Sequence, residues 1–175
     1  MPDPRRQATG MRSRAAGEIF ERYISMSCEF YWKKGYACIE KTPEPMHPIK
    51  PYGNRNAGQF VAYYTKQAQP DFKGALNDGS CIIFDAKHTD KSRIQQGAVT
   101  EAQWETFDRY ETMGAQCFVI VSINLQSFYR VPWGVWKRMK ELYGHKYMAS
   151  GQELEPYRVP DKSNVILFLE GVVLK

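Results

Sequence analysis

Between residues 15 and 34, Ile19, Tyr23, Met26 and Phe30 recur at three- and four-residue spacing beside Phe20, Ile24 and Tyr31. That period predicts an amphipathic helix, with Gly35 as its C-terminal stop. Residues 36–40 read as a short strand. Pro43, Pro45, Pro48 and Pro51 then forbid a helix and hold the chain extended. Beyond them a turn-forming Gly-Asn stretch leads into an aromatic and basic strand-like run, so 43–69 is expected to leave the core sheet and protrude. Residues 70–75 and 80–88 read as paired strands joined by LNDGS, which carries the Asp-Gly turn signal. Residues 100–113 read as a helix opened by a T-x-x-Q capping box at Thr100 and Gln103 and ended by Gly114. The unbroken apolar run 117–123 predicts a central strand covered on both faces. Further strands are expected at 127–131 and 164–171, with a basic helix at 133–143. This order predicts one α/β domain over 15–175, a mixed β-sheet flanked by helices. A flexible basic arm, 1–14, with Arg5, Arg6, Arg12 and Arg14, is expected before it.

Composition narrows the picture. At 175 residues, with 43% hydrophobic and 25% charged, the chain suits one folded core and not a disordered polymer. No stretch approaches 18 uninterrupted apolar residues, so no transmembrane helix is expected, and residues 1–14 lack the apolar run of a secretory signal. Cys28, Cys38, Cys81 and Cys117 are widely spread without C-x-x-C pairing. That argues against a zinc site or disulfide framework and fits reduced thiols in the cytoplasm. A net charge of +5 suits a polyanionic partner without requiring one.

The candidate chemistry lies on the predicted strand pair. Asp85 and Lys87 point to one face of their strand, and Ile82, Phe84 and Ala86 to the other. Taken alone, that strand leaves two readings open: charges at a strand end reaching solvent, or a charged pair kept for a reaction despite the cost of burial. The Asp-Gly turn also brings Asp71 toward Asp85. Two close carboxylates repel, and a divalent cation between them removes the repulsion. Oxygen ligands with bound water suit Mg²⁺. Lys87, on the same face, can orient an attacking water or stabilise charge developing on phosphorus, the arrangement needed for metal-assisted phosphodiester hydrolysis.

Pro70-Asp71, thirteen residues, then Asp85-Ala86-Lys87 resembles the PD-(D/E)xK nuclease signature. Its surroundings resemble RecU-type Holliday junction resolvases: Gly17-Glu18-Ile19-Phe20-Glu21, Lys34-Gly35, Lys41-Thr42-Pro43-Glu44-Pro45, Gln69-Pro70-Asp71-Phe72-Lys73-Gly74, Ile83-Phe84-Asp85-Ala86-Lys87-His88-Thr89, Glu101-Ala102-Gln103 and the strand within 114–123. The resemblance spans about 11–135 and leaves 136–175 unmatched. It implies a restriction-endonuclease-like fold and a catalytic set of Glu21, Asp71, Asp85 and Lys87. It also implies metal contacts from Asp71, Asp85, Gln69 and Gln103, with Mg²⁺ as cofactor and Mn²⁺ able to substitute. The implied activity is cleavage of four-way DNA junctions in recombination and repair, leaving 5′-phosphate ends, by a cytoplasmic homodimer with no membrane attachment. Segment 43–69 becomes a stalk entering the junction. Two departures stand out. Asp85 occupies a position where that family usually has Glu, which draws the metal closer to the strand, and Gln69 replaces a metal-binding Thr.

Other residues carry weaker signals. On the first helix Glu18 competes with Glu21, and Gln103 serves equally well as a capping residue or as a site contact. Lys50, Arg55, Tyr63 and Lys66 on the protrusion, and Lys73 beside it, are candidate DNA contacts, basic groups for phosphates and an aromatic for stacking. A solvated excursion used in dimer packing is the competing reading of that segment. Lys137, Arg138, Lys140 and Lys146 form a second basic run or an ordinary solvated face. Rival functions are a PD-(D/E)xK nuclease without junction preference and a non-catalytic DNA-binding module.

Overall fold

The computed structural model describes residues 4–53, 58–64 and 69–171, with side chains described for 13–53, 58–63 and 69–171. Helix α1 (Pro4–Lys33) is followed by β1 (Ala37–Lys41), β2 (Met46–Pro51), β3 (Phe60–Tyr64), β4 (Phe72–Leu76), β5 (Cys81–Thr89) and β6 (Arg93–Gln95). Next come α2 (Glu101–Thr112), β7 (Gln116–Ile123), β8 (Ser127–Pro132), α3 (Trp133–Trp136), α4 (Met139–Tyr143) and β9 (Tyr147–Ala149). The short strands β10 (Arg158–Val159), β11 (Asp161–Lys162) and β12 (Val165–Ile166) complete the described chain. Six strands form the main sheet in the order β1-β4-β5-β7-β8-β10. The β5–β7 pair is parallel and its other pairs are antiparallel. The expected mixed α/β sheet flanked by helices is the observed architecture.

Two apolar layers cover the sheet. On one face α1 contributes Phe20, Ile24 and Tyr31 against Phe72, Phe84, Phe118 and Phe168. On the other, Phe107 of α2 and Trp133 and Trp136 of α3 cover Val119 and Val121. Seven of the eight residues of β7 are buried, as its unbroken apolar run predicts. Strands β2 and β3 pair only with each other, in a ribbon apart from the main sheet, and every residue of β2 is exposed. Among the described residues, no helix is long and apolar enough to cross a membrane.

Three expectations are corrected. The described part of the basic segment 1–14 belongs to α1, which begins at Pro4 and not near residue 15. Proline is well tolerated in a first helical turn, and the Arg, Gln and Ala that follow are good helix formers. The helix expected at 133–143 is two short helices. Trp133, Trp136 and Met139 are all fully buried at intervals of three, which a regular 3.6-residue helix would carry progressively around its axis, and the chain breaks at Lys137–Arg138 to keep them inside. The strand expected at 164–171 pairs only at Val165–Ile166, with Asp161–Lys162.

Around that short pairing, two amides of the segment are satisfied from α1, while Leu167 and Glu170 donate to the backbone carbonyls of Pro160 and Leu167. Ser27 Oγ accepts from the Ile166 amide at 2.7 Å, and the Tyr31 hydroxyl accepts from the Leu169 amide at 3.0 Å. Buried amides need partners, and here side chains of the first helix supply them.

The β1–β4 contact is unusually close at Gly74. A Cβ there would lie 2.0 Å from the Cys38 carbonyl oxygen and 2.7 Å from Ile39 Cα. Both atoms are backbone, so no rotamer change relieves the clash. Gly74→Ala is expected to destabilise the protein by more than about 3 kcal/mol. Urea unfolding checks this, and a midpoint unchanged from the parent protein would contradict the close approach.

Candidate active site

Strands β4 and β5 pair in register from Phe72 opposite Phe84 to Ala75 opposite Cys81. One step past the end of this ladder, Asp71 stands across from Asp85. Their neighbours fix the spacing. Phe72 stacks on Phe84 at 5.0 Å, and Phe84 on Phe118 of β7 at 4.9 Å, so three rings in a row across three strands make a stiff floor on the α1 face. Alternation then sends Asp85 and Lys87 to the α2 face, beside Val119 and Val121 of β7.

Asp85 is fully buried. Its Oδ1 accepts from Gln103 Nε2 at 2.7 Å and from the Asp71 amide at 3.3 Å. Its Oδ2 lies 2.5 Å from the Lys87 ammonium, a contact of opposite charges that lacks hydrogen-bond angles. Where the ladder has run out, the Asp71 side chain takes the place of a strand partner, its Oδ2 accepting from the Ala86 amide at 3.0 Å. Burial first, then the nearby Asp71 carboxylate, pushes the Asp85 pKa up to about 7, against the opposing pull of Lys87.

Gln103 resolves its two sequence readings by satisfying both. Its Oε1 accepts from the Thr100 amide at 3.1 Å, closing the capping box at the start of α2. The same oxygen lies 3.4 Å from Lys87 Nζ, while Nε2 serves Asp85. One amide therefore ties the helix N-terminus to the acid and the amine together.

The expected residues do not all converge. Asp71, Asp85, Lys87 and Gln103 form one bonded group. Glu21, on α1, is held 2.5 Å from Lys41 of β1. The Lys41 ammonium also feels the charge of Asp71, so it stands electrostatically between Glu21 and the acids, and Glu21 foremost raises its pKa. The sequence alone assigns Lys41 no role, and its place directly before the proline run is the signal that could have found it. Gln69 and Lys73 line a neighbouring cleft. Lys50 and Tyr63 sit on the β2–β3 ribbon, with Tyr63 stacked on His47, whereas Arg55 and Lys66 lie outside the described residues. Trp133 and Trp136 are core residues. His88 is on the opposite face of β5, bridging Ser122 Oγ and Asp90.

The donor set fits a hard divalent cation: the opposed carboxylates of Asp71 and Asp85, the latter with one buried oxygen that lacks a hydrogen bond, and the Gln103 amide. Among the described residues, no cluster of three or more Asp, Glu, His or Cys side chains gathers around one point, so water would complete such a coordination shell.

The chain is similar to known proteins. The family model described as Recombination protein U matches residues 15–169, so the match continues well past 135, where the sequence resemblance stopped. The Holliday junction resolvase RecU of Streptococcus gordonii is 29% identical over 119 residues, 66% of this chain and 60% of that protein. Its counterpart in Pediococcus pentosaceus is 32% identical over 108 residues, 60% of this chain and 53% of that protein. The chain thus spans about 60% or less of the length of these curated relatives. Among solved structures, Archaeoglobus fulgidus Hjc, a Holliday junction resolvase from an archaeal hyperthermophile, aligns with a TM-score of 0.41 at 16% identity, over 69% of this chain and 75% of that one.

The raised pKa of Asp85 has a thermodynamic consequence in metal-free protein. The folded state keeps a proton that the unfolded chain releases near pH 4. The stability this confers is complete below that value and is lost as pH rises through about 7. Between pH 5 and 7.5 in EDTA, the stability of the parent protein relative to Asp85→Asn is expected to fall by roughly 2–3 kcal/mol. Urea unfolding at the two pH values measures it, and a difference independent of pH would show that Asp85 titrates as an ordinary carboxylate.

Proposed function

The chain belongs to the Recombination protein U family, and on that premise we propose that it is a Mg²⁺-dependent endodeoxyribonuclease that resolves Holliday junctions in DNA recombination and repair. The observation that carries this reading is the pairing of Asp71 with Asp85 across β4 and β5, with Lys87 and Gln103 on the two oxygens of Asp85.

In this reading Asp71 and Asp85 hold the cation, and the Gln103 amide orients Asp85 or contacts a bound water. A bound Mg²⁺ would supply charge to polarise a phosphoryl oxygen and lower the pKa of the attacking water. Lys87 then directs the water oxygen at phosphorus and steadies the negative charge that gathers on the phosphoryl oxygens. As the water oxygen bonds to phosphorus it gives up a proton to solvent, the phosphorus–O3′ bond breaks, O3′ takes up a proton from solvent, and the products are a 5′-phosphate and a 3′-hydroxyl. Glu21 acts one step removed, through Lys41, on the field at Asp71. Gln69 flanks the cation site from the adjoining cleft. Val119 and Val121 beside the acids keep bulk water away and strengthen each of these interactions.

Resolution requires two nicks in opposed strands, and a two-fold homodimer presents two equivalent sites for them. The β2–β3 ribbon, with Lys50 and Tyr63, is the element that reaches into the branched DNA. The cytoplasm, where the substrate resides, is the proposed location.

Labelled four-way junctions incubated in Mg²⁺, with EDTA controls and linear duplex in parallel, test the reading. Cleavage is expected on the junction in Mg²⁺ and is expected to be absent in EDTA. Asp85→Ala and Lys87→Ala are each expected to lower the rate on the order of 10³-fold or more while keeping junction binding. Full cleavage by either variant would overturn the assignment, and equal cutting of linear duplex would remove the junction preference.

A further inference from the structure

Beside the acids, β4 and α2 enclose a cleft of about 370 Å³. Its position follows from strand register. Lys73 lies two residues from Asp71 on the same face of β4, and Ile83 holds the matching place relative to Asp85 on β5. Two residues along a strand advance about 7 Å, close to the separation of neighbouring phosphates on a DNA strand.

The lining has the chemistry of an anion site. Lys73 is exposed and makes no ion pair among the described residues. From the facing wall, Arg109 of α2 reaches the same space. Its only carboxylate partner there, Glu105, is held loosely at 3.5 Å with both side chains mostly exposed, so the guanidinium is free to exchange that contact for a ligand. Cations therefore outnumber the single acid of the lining two to one. Thr42, also in the wall, is more than nine-tenths buried, and its Oγ1 has no hydrogen-bond partner. A buried hydroxyl left unpaired is costly, and a turn about χ1 toward the cleft would let it donate to an incoming oxygen.

We propose that this cleft binds the DNA backbone phosphate next to the scissile one, held between Lys73 of β4 and Arg109 of α2, with Thr42 as a neutral donor. The inference rests on the nuclease reading above and adds to it a positioning subsite. A strand gripped one phosphate away from the acids has its scissile phosphorus set over them. Helix α2 then acts at both ends, its first turn ordering Asp85 through Gln103 and its last turn gripping the substrate.

Junctions in which single phosphates near the cut are replaced by neutral methylphosphonates test the subsite, with binding read in EDTA and cleavage in Mg²⁺. At one position beside the scissile phosphate, the replacement is expected to weaken binding by the parent protein roughly five- to tenfold. The same replacement should leave the Lys73→Gln/Arg109→Gln variant unaffected. The variant should also show a salt dependence of log K shallower by about one to two units of slope. A penalty of equal size in both proteins at every position would overturn the subsite while leaving junction cleavage standing. Absence of both binding and cleavage for any junction would overturn the nuclease reading and this inference with it.

Discussion

A carboxylate buried in an otherwise apolar sheet is the constraint around which this molecule is arranged. Asp85 has no exposed surface and occupies a central strand. Such a group is tolerated only if hydrogen bonds and opposite charge offset the loss of water. Gln103 and Lys87 do this, while Asp71 works against it. The arrangement is poor for stability and good for chemistry, since a site that repels its own charge in isolation is prepared to accept a cation. The phenylalanine floor beneath β4, β5 and β7 gives the strands the rigidity needed to hold two like charges face to face.

Much of this was legible in the sequence because it rests on local rules. Alternation along a strand placed Asp85 and Lys87 together, the Asp-Gly turn returned Asp71 to them, and the T-x-x-Q spacing marked the start of α2. The central strand was visible because six of the seven residues from 117 to 123 are apolar, which admits little else. What escaped depends on distant contacts. Nothing in the spacing of Trp133, Trp136 and Met139 states that all three are buried, and that is what breaks the helix. The apolar run near residue 166 has strand composition, yet its amides meet hydroxyls from α1. Glu21 was visible as a helix acid, but its pairing with Lys41 shows only once β1 is docked on α1.

Gln103 shows why either-or readings of a sequence can mislead. A terminal amide has an oxygen and a nitrogen with opposite hydrogen-bonding roles, so the oxygen closes the cap and meets Lys87 while the nitrogen holds Asp85. The start of α2 and the orientation of Asp85 consequently cannot vary independently. A change that shifts that helix end would move the acid with it, and the reverse holds as well.

The bonds from Ser27 and Tyr31 to the segment around residues 166–169 join positions 138 and 139 apart in the chain. During synthesis the first helix leaves the ribosome long before the stretch that covers it. Phe72, Phe84 and Phe118 can cover part of its aromatic face early, but Phe168 and the amides that meet Ser27 and Tyr31 arrive much later. Contacts that close so late slow folding and lengthen exposure to aggregation and to chaperones. The layer over α1 is therefore complete only when that stretch arrives, and a nascent chain halted before it emerges would carry both acids yet lack part of the packing that steadies the sheet beneath them.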